Sequence, residues 1–196
     1  MRPATISNLR DSTTEDAATG AVRSVQAADL SLPEPALRML WSALYLERLA
    51  RTYWRFLTRV TLGLVRVRYS DNGRALVLLA PALKLIVFAS PEYELQPGHG
   101  IVRWRITSGL LVARRGHESG GYLQIEVRRL EHPDESQARL HVEVAVEGFY
   151  PAIASGLGRR FYRATQSRIH VLITHAFLRS LARLDLAESR VGRFAG

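Results

Sequence analysis

Four runs between Val65 and Glu147 set an apolar residue at every second position, the period of a half-buried β-strand. Val65, Val67 and Tyr69 alternate with Arg66 and Arg68, and Val102, Trp104 and Ile106 with Arg103 and Arg105. Leu123, Ile125 and Val127 alternate with Gln124, Glu126 and Arg128. Leu140, Val142, Val144 and Val146 alternate with Arg139, His141, Glu143 and Glu147. Turn-forming clusters separate these runs, among them Ser70-Asp71-Asn72-Gly73, whose Asn-Gly pair tolerates the positive φ of tight hairpins. Arg74 to Ala80 and Leu83 to Ala89 are apolar nearly throughout, which predicts cover on both faces. Short connections predict an antiparallel meander of six or seven strands whose apolar face needs a covering layer.

The flanks keep a different period. Ser31 or the Pro33-Glu34-Pro35 segment opens a predicted helix that runs to about Val60. Leu46, Leu49, Ala50, Tyr53, Leu57 and Val60 share one face of it, with Arg48, Arg51, Arg55 and Arg59 opposite. Its first turns, through Leu37, Leu40, Trp41 and Leu44, are apolar nearly all round and predict burial on two sides, or contact with a partner or lipid. After Phe149 a second long helix is predicted to about Leu186, with Phe161, Tyr162, Ile169, Leu172 and Ile173 on one arc and Thr165 within it. Near Ala176 that arc swings to the other side, as for a helix that packs on two different surfaces. The fold class predicted is therefore α+β: a curved antiparallel sheet wrapped on a long C-terminal helix, with a long amphipathic N-terminal helix. Residues 1–32 read as a polar tail, although Ala21 to Gln26 alternate like a short strand. Residues 33–188 read as one domain and 189–196 as a C-terminal tail.

Charge narrows the function classes. The chain carries a formal +9, and its excess sits on the two predicted helices. Residues 36–60 hold five Arg against one acid, and residues 151–196 eight Arg against two. A basic helix face is most often a solvated surface, but Arg48, Arg51, Arg55 and Arg59, with Arg159, Arg160 and Arg163, also suit an anion or an anionic membrane surface. Nucleic acid fits less well, because the outer strand faces mix acid and base instead of forming a basic platform. With no cysteine, thiolate chemistry is excluded. The polar opening residues contain no secretory h-region, and the expectation is a cytoplasmic protein, peripheral at the membrane if its basic helices meet lipid.

No catalytic or metal signature is present. Gly156-Leu157-Gly158 before a predicted helix is half of a dinucleotide fingerprint; Phe161 stands where its third glycine belongs, and no strand follows the helix. His170 and His175 are five residues apart, which points them away from one another. No cofactor is expected.

The order of elements, strands from Val65 to Glu147 followed by YPAIASGLGRRFYRATQSRIHVLITHAFLRSLARL, resembles the helix-grip arrangement of the START-like, polyketide-cyclase-like superfamily. The opening AVRSVQAADLSLPEPALRMLW resembles that superfamily's strand-then-helix start, while the basic N-terminal helix is longer than its usual pair of short helices. The resemblance implies an apolar ligand held between sheet and C-terminal helix, with a cyclase- or aromatase-like enzyme in the same cavity as the alternative. Trp104, Tyr122, Phe161, Thr165, Ile169 and Leu172 are the pocket residues this reading selects. A homodimer is the remaining partner expectation.

Overall fold

The computed structural model describes residues 4–70, 73–79, 83–116, 120–152 and 177–178. Nine antiparallel strands form its sheet: β1 Thr5–Glu15, β2 Val22–Pro33, β3 Val65–Ser70, β4 Gly73–Leu78, β5 Lys84–Ala89, β6 Glu92–Gln96, β7 His99–Ser108, β8 Tyr122–Leu130 and β9 Gln137–Phe149. Their order is β1-β2-β9-β8-β7-β5-β4-β3, with β6 paired to β7. One edge of β7 is thus shared: residues 99–103 pair with β6, and Ile106 and Ser108 pair with β5. Two helices, α1 Glu34–Leu40 and α2 Ala43–Val60, connect β2 to β3.

This architecture corrects the fold predicted from periodicity. Among the described residues the sheet has nine strands, not six or seven, because residues read as tail or loop, 5–15 and 92–96, are taken up as hairpin partners by the neighbouring strands β2 and β7. Thr5–Glu15 is almost wholly exposed and polar, and becomes a strand through its ladder to β2; β2 in turn pairs with β9, more than a hundred residues on. Glu92–Gln96 is also a strand, flanked by Pro91 and Pro97 outside its ladder. The long N-terminal helix is two helices. Trp41 donates its backbone N–H to the Leu37 carbonyl at 2.9 Å and closes α1. Ser42 then turns extended (φ −155, ψ 160), and its hydroxyl accepts from the Tyr45 N–H at 3.3 Å as the N-cap of α2. The predicted C-terminal helix lies outside the described residues except for Phe177 and Leu178, which are helical and fully buried.

The two faces of the sheet differ. The inner face carries Val102, Trp104, Ile106, Leu123, Ile125, Val127, Val142 and Val144, all buried. Upon it lie Leu46, Leu49, Ala50, Tyr53, Trp54 and Leu57 of α2, spaced at three and four residues as a single helical stripe requires. Gly100 makes room for this helix, since a Cβ there would stand 3.0 Å from the Leu46 side chain. The outer face is laced with ion pairs. Asp29, buried on β2, accepts from Asn8 on β1 at 2.8 Å and Arg139 on β9 at 2.7 Å, and its other oxygen lies 2.8 Å from His141 Nδ1. Glu126 collects His99, Gln124 and Arg128 in the same manner.

Candidate functional site

The layer between α2 and the inner sheet face holds two features that core packing alone leaves unexplained. At the α1–α2 corner lies an apolar cavity of about 50 Å³, lined chiefly by Leu30, Leu32, Trp41, Leu46, Val127 and Val142. Trp41 is half-buried over it, its indole N–H donating to the Gln96 carbonyl at 3.3 Å. Tyr45 also lines it; burial pushes its hydroxyl up to about 12, only partly offset by the charge of Arg48, so it stays a neutral phenol there.

Further along α2 is an aromatic cluster. Trp54 meets Trp104 edge-on with centroids 5.1 Å apart, and also meets Phe88 at 5.4 Å and Tyr53 at 5.3 Å. Phe177 closes on Tyr53 at 5.5 Å and 89°. Into this cluster β4 delivers Arg74, which is 9% exposed; its guanidinium carbon is 5.3 Å from the Trp104 ring centre and 5.1 Å from that of Tyr69. Burial raises the Tyr93 hydroxyl above its ordinary range, and the nearby charge of Arg74 works against that rise. Trp54 Nε1, Trp104 Nε1 and Arg74 Nη1 are buried without an acceptor among the described residues. Arg51 Nη1, Glu47 Oε2 and Gln26 Oε1 are likewise buried and unpartnered. Buried donors in folded proteins nearly always have partners, so three bare N–H groups on residues that touch one another call for an acceptor.

The sequence-selected residues divide between two faces. Trp104 is fully buried in this layer. Tyr122 is not with it: its hydroxyl donates to Glu147 at 2.8 Å on the outer face, and its ring lies 5.0 Å from the Arg103 guanidinium. It precedes inward-facing Leu123 by one residue, and strand neighbours point to opposite faces. Phe161, Thr165, Ile169, Leu172, Arg159, Arg160 and Arg163 lie outside the described residues. The arginine face of α2 is not uniform either. Arg55 and Arg59 are exposed and Arg48 is half-buried, whereas Arg51 is mostly buried beside Glu47 at 3.7 Å. Periodicity does not select Trp54 or Arg74, though each leaves a signal: Trp54 follows Ala50 by four residues on the apolar stripe, and Arg74 is the one charge in an otherwise apolar strand, in phase with Leu76.

Among the described residues, no group of three His, Asp or Glu is placed to hold a metal ion, and no helix is long and apolar enough to cross a membrane. No family model matches the chain, and no curated protein does. Solved structures similar to it include an HSP90 activator from Plasmodium falciparum, 16% identical over 74% of this chain and 91% of that one, with a TM-score of 0.25. Another is an uncharacterised protein from Rhizobium leguminosarum, 13% identical over 81% of this chain and 98% of that one, with a TM-score of 0.23. Scores this low carry neither fold nor function across.

Proposed function

We propose that the protein binds an apolar molecule bearing a hydrogen-bond acceptor, of the fatty-acid or acyl-lipid class, in the layer between α2 and the inner sheet face. The observation that carries this reading is the bare donor set of Trp54, Trp104 and Arg74. An N–H left unsatisfied in an apolar layer costs about 1–3 kcal/mol, and a carboxylate or carbonyl oxygen from a ligand removes that cost where an aliphatic side chain cannot. The cavity under Trp41 supplies the apolar end, about 12 Å along α2 from the donors at 1.5 Å per residue. Ligand that exceeds the cavity enters by swinging Trp41 outward, since one 3.3 Å bond at the surface is its polar tether. Kinship with the START-like, polyketide-cyclase-like superfamily is part of the same proposal. Its support is the pairing of β2 with β9 and the placing of both helices between β2 and β3.

The test is titration with a fluorescent fatty acid, beside native mass spectrometry of protein purified from cells. Wild type is expected to bind, and Trp54→Phe or Trp104→Phe to weaken binding by about tenfold each, the equivalent of one hydrogen bond. Each substitution also shrinks a fully buried indole to a phenyl ring and should cost about 1–3 kcal/mol of stability, so binding is compared on variants that circular dichroism shows to be folded. Variants that bind as tightly as wild type, or wild type that neither binds the probe nor carries a ligand, would overturn the proposal.

A further inference from the structure

One end of the sheet exposes five leucines: Leu62 at 89%, Leu79 at 68%, Leu110 at 60%, Leu64 at 49% and Leu83 at 44%. Backbone hydrogen bonds string them along a single edge. The Leu79 N–H donates to the Leu64 carbonyl at 2.9 Å, the Leu78 N–H to that of Leu83 at 3.0 Å, and the Leu110 N–H to that of Lys84 at 3.0 Å. Leu62 precedes this row by two residues, where α2 hands over to β3.

Two of these side chains sit where the folded chain gains nothing from them. The Leu62 N–H donates to the Arg59 carbonyl at 3.1 Å and the Gly63 N–H to that of Thr58 at 2.8 Å, the paired bonds of a Schellman cap. That cap puts Leu62 in the left-handed region at φ 52, a position glycine takes without strain. Leu79 stands in the same region at φ 55. A bulky residue at positive φ is an outlier that packing normally repays, but these two side chains project into water. A contiguous exposed apolar patch of this kind marks a contact surface.

Charge identifies what the surface meets. Arg59 lies in the last turn of α2, while Arg66 and Lys84 both pair with Val77 across the β3–β4 and β4–β5 ladders, beside the leucine row. All three are exposed, and none forms an ion pair among the described residues. The chain has no Asp or Glu between Glu94 and Glu118, and only Asp71 between Glu47 and Glu92. Aliphatic tips ringed by unpaired cations complement an anionic bilayer, with leucines entering the acyl boundary and cations resting among headgroups. Nucleic acid would leave the leucines wet, and a second copy would oppose like charges.

We propose that this leucine edge docks the protein on an anionic lipid surface, independently of what the inner layer binds. The experiment is co-sedimentation with vesicles of phosphatidylcholine alone and of phosphatidylcholine and phosphatidylserine in equal parts. Two double variants are compared with wild type, Leu62→Gly with Leu79→Gly and Arg66→Glu with Lys84→Glu, and circular dichroism confirms that each is folded. Wild type is expected to pellet with the phosphatidylserine vesicles in a salt-sensitive manner, and to stay in solution with phosphatidylcholine alone. The leucine variant, which relieves two strained positions, should lose about thirtyfold in partition, and the charge variant at least as much. Three results would overturn the proposal: wild type that ignores phosphatidylserine vesicles, equal pelleting with both kinds, or a leucine variant that binds like wild type. A leucine variant that instead loses self-association or retention on nucleic acid in vesicle-free runs would overturn it as well, assigning the edge to that partner.

Discussion

Leu62→Gly should stabilise this protein, against the ordinary expectation for trading a leucine for a glycine. At 89% exposure the Leu62 side chain contributes almost no apolar burial, so its removal forfeits almost none. The backbone at φ 52 is strained for any L residue, by about 1–2 kcal/mol, and glycine adopts it freely. Against that gain stands the extra freedom glycine has in the unfolded chain, about 0.4–1 kcal/mol. The net is a stabilisation of about 0.5 kcal/mol, which for a chain of this size raises Tm by roughly 1–2 °C. Urea denaturation of wild type, Leu62→Gly and Leu62→Ala is the assay, with the m-value checked for constancy. Alanine retains the strain and loses only the exposed side chain, so that variant should match wild type, leaving glycine above both. A glycine variant no more stable than the alanine variant would refute the reasoning, because the left-handed cap would then carry no strain to relieve.

Two further outcomes follow from the fold. Burial alone would raise the Asp29 carboxyl, but hydrogen bonds from His141, Asn8 and Arg139 outweigh it and hold the group below its ordinary range. A depressed carboxylate stabilises the fold above its unfolded value, about 3.9, and that contribution fades as pH falls through the lower folded value. Asp29→Asn should accordingly cost about 1–3 kcal/mol at neutral pH and progressively less below about pH 4, as chemical denaturation across pH would show; a pH-independent deficit would contradict it. Gly109→Ala should destabilise by more than about 2 kcal/mol in the same assay, since its φ is +141 and a Cβ there would run into the Leu85 carbonyl oxygen; a neutral result would mean the β5–β7 junction yields freely.

The sidedness of individual elements is legible in the order of residues alone. Val102, Trp104 and Ile106 face inward and Arg103 and Arg105 outward, as their alternation requires, and Leu46, Leu49, Ala50, Tyr53 and Leu57 form one buried stripe of α2. Side-chain direction is set by the local backbone repeat, which a run of residues records directly. Tyr122 shows the same rule at work: its place one residue before Leu123 puts it on the outer face, away from Trp104.

What partners each element is not legible in that way, because a segment's pairing depends on the strand beside it and not on its own residues, and that strand can lie far along the chain, as β9 does from β2. Nothing in the polar residues 5–15 announces a strand; they become one by hydrogen-bonding to β2, held in turn by β9 and by the bonds from Arg139 and His141 to Asp29. The helix from Pro33 to Val60 breaks at Ser42 because a hydroxyl there caps the next turn, a signal present in the sequence but outweighed by the apolar residues on either side. The donor cluster and the leucine edge are tertiary in the same sense. Trp54, Arg74 and Trp104 come from three elements and meet only when α2 lies on the sheet, and Leu62, Leu79 and Leu110 share an edge only through the bonds linking β3, β4 and β5. Local sequence determined which way each residue faces, while only the assembled sheet decided which residues face the same space.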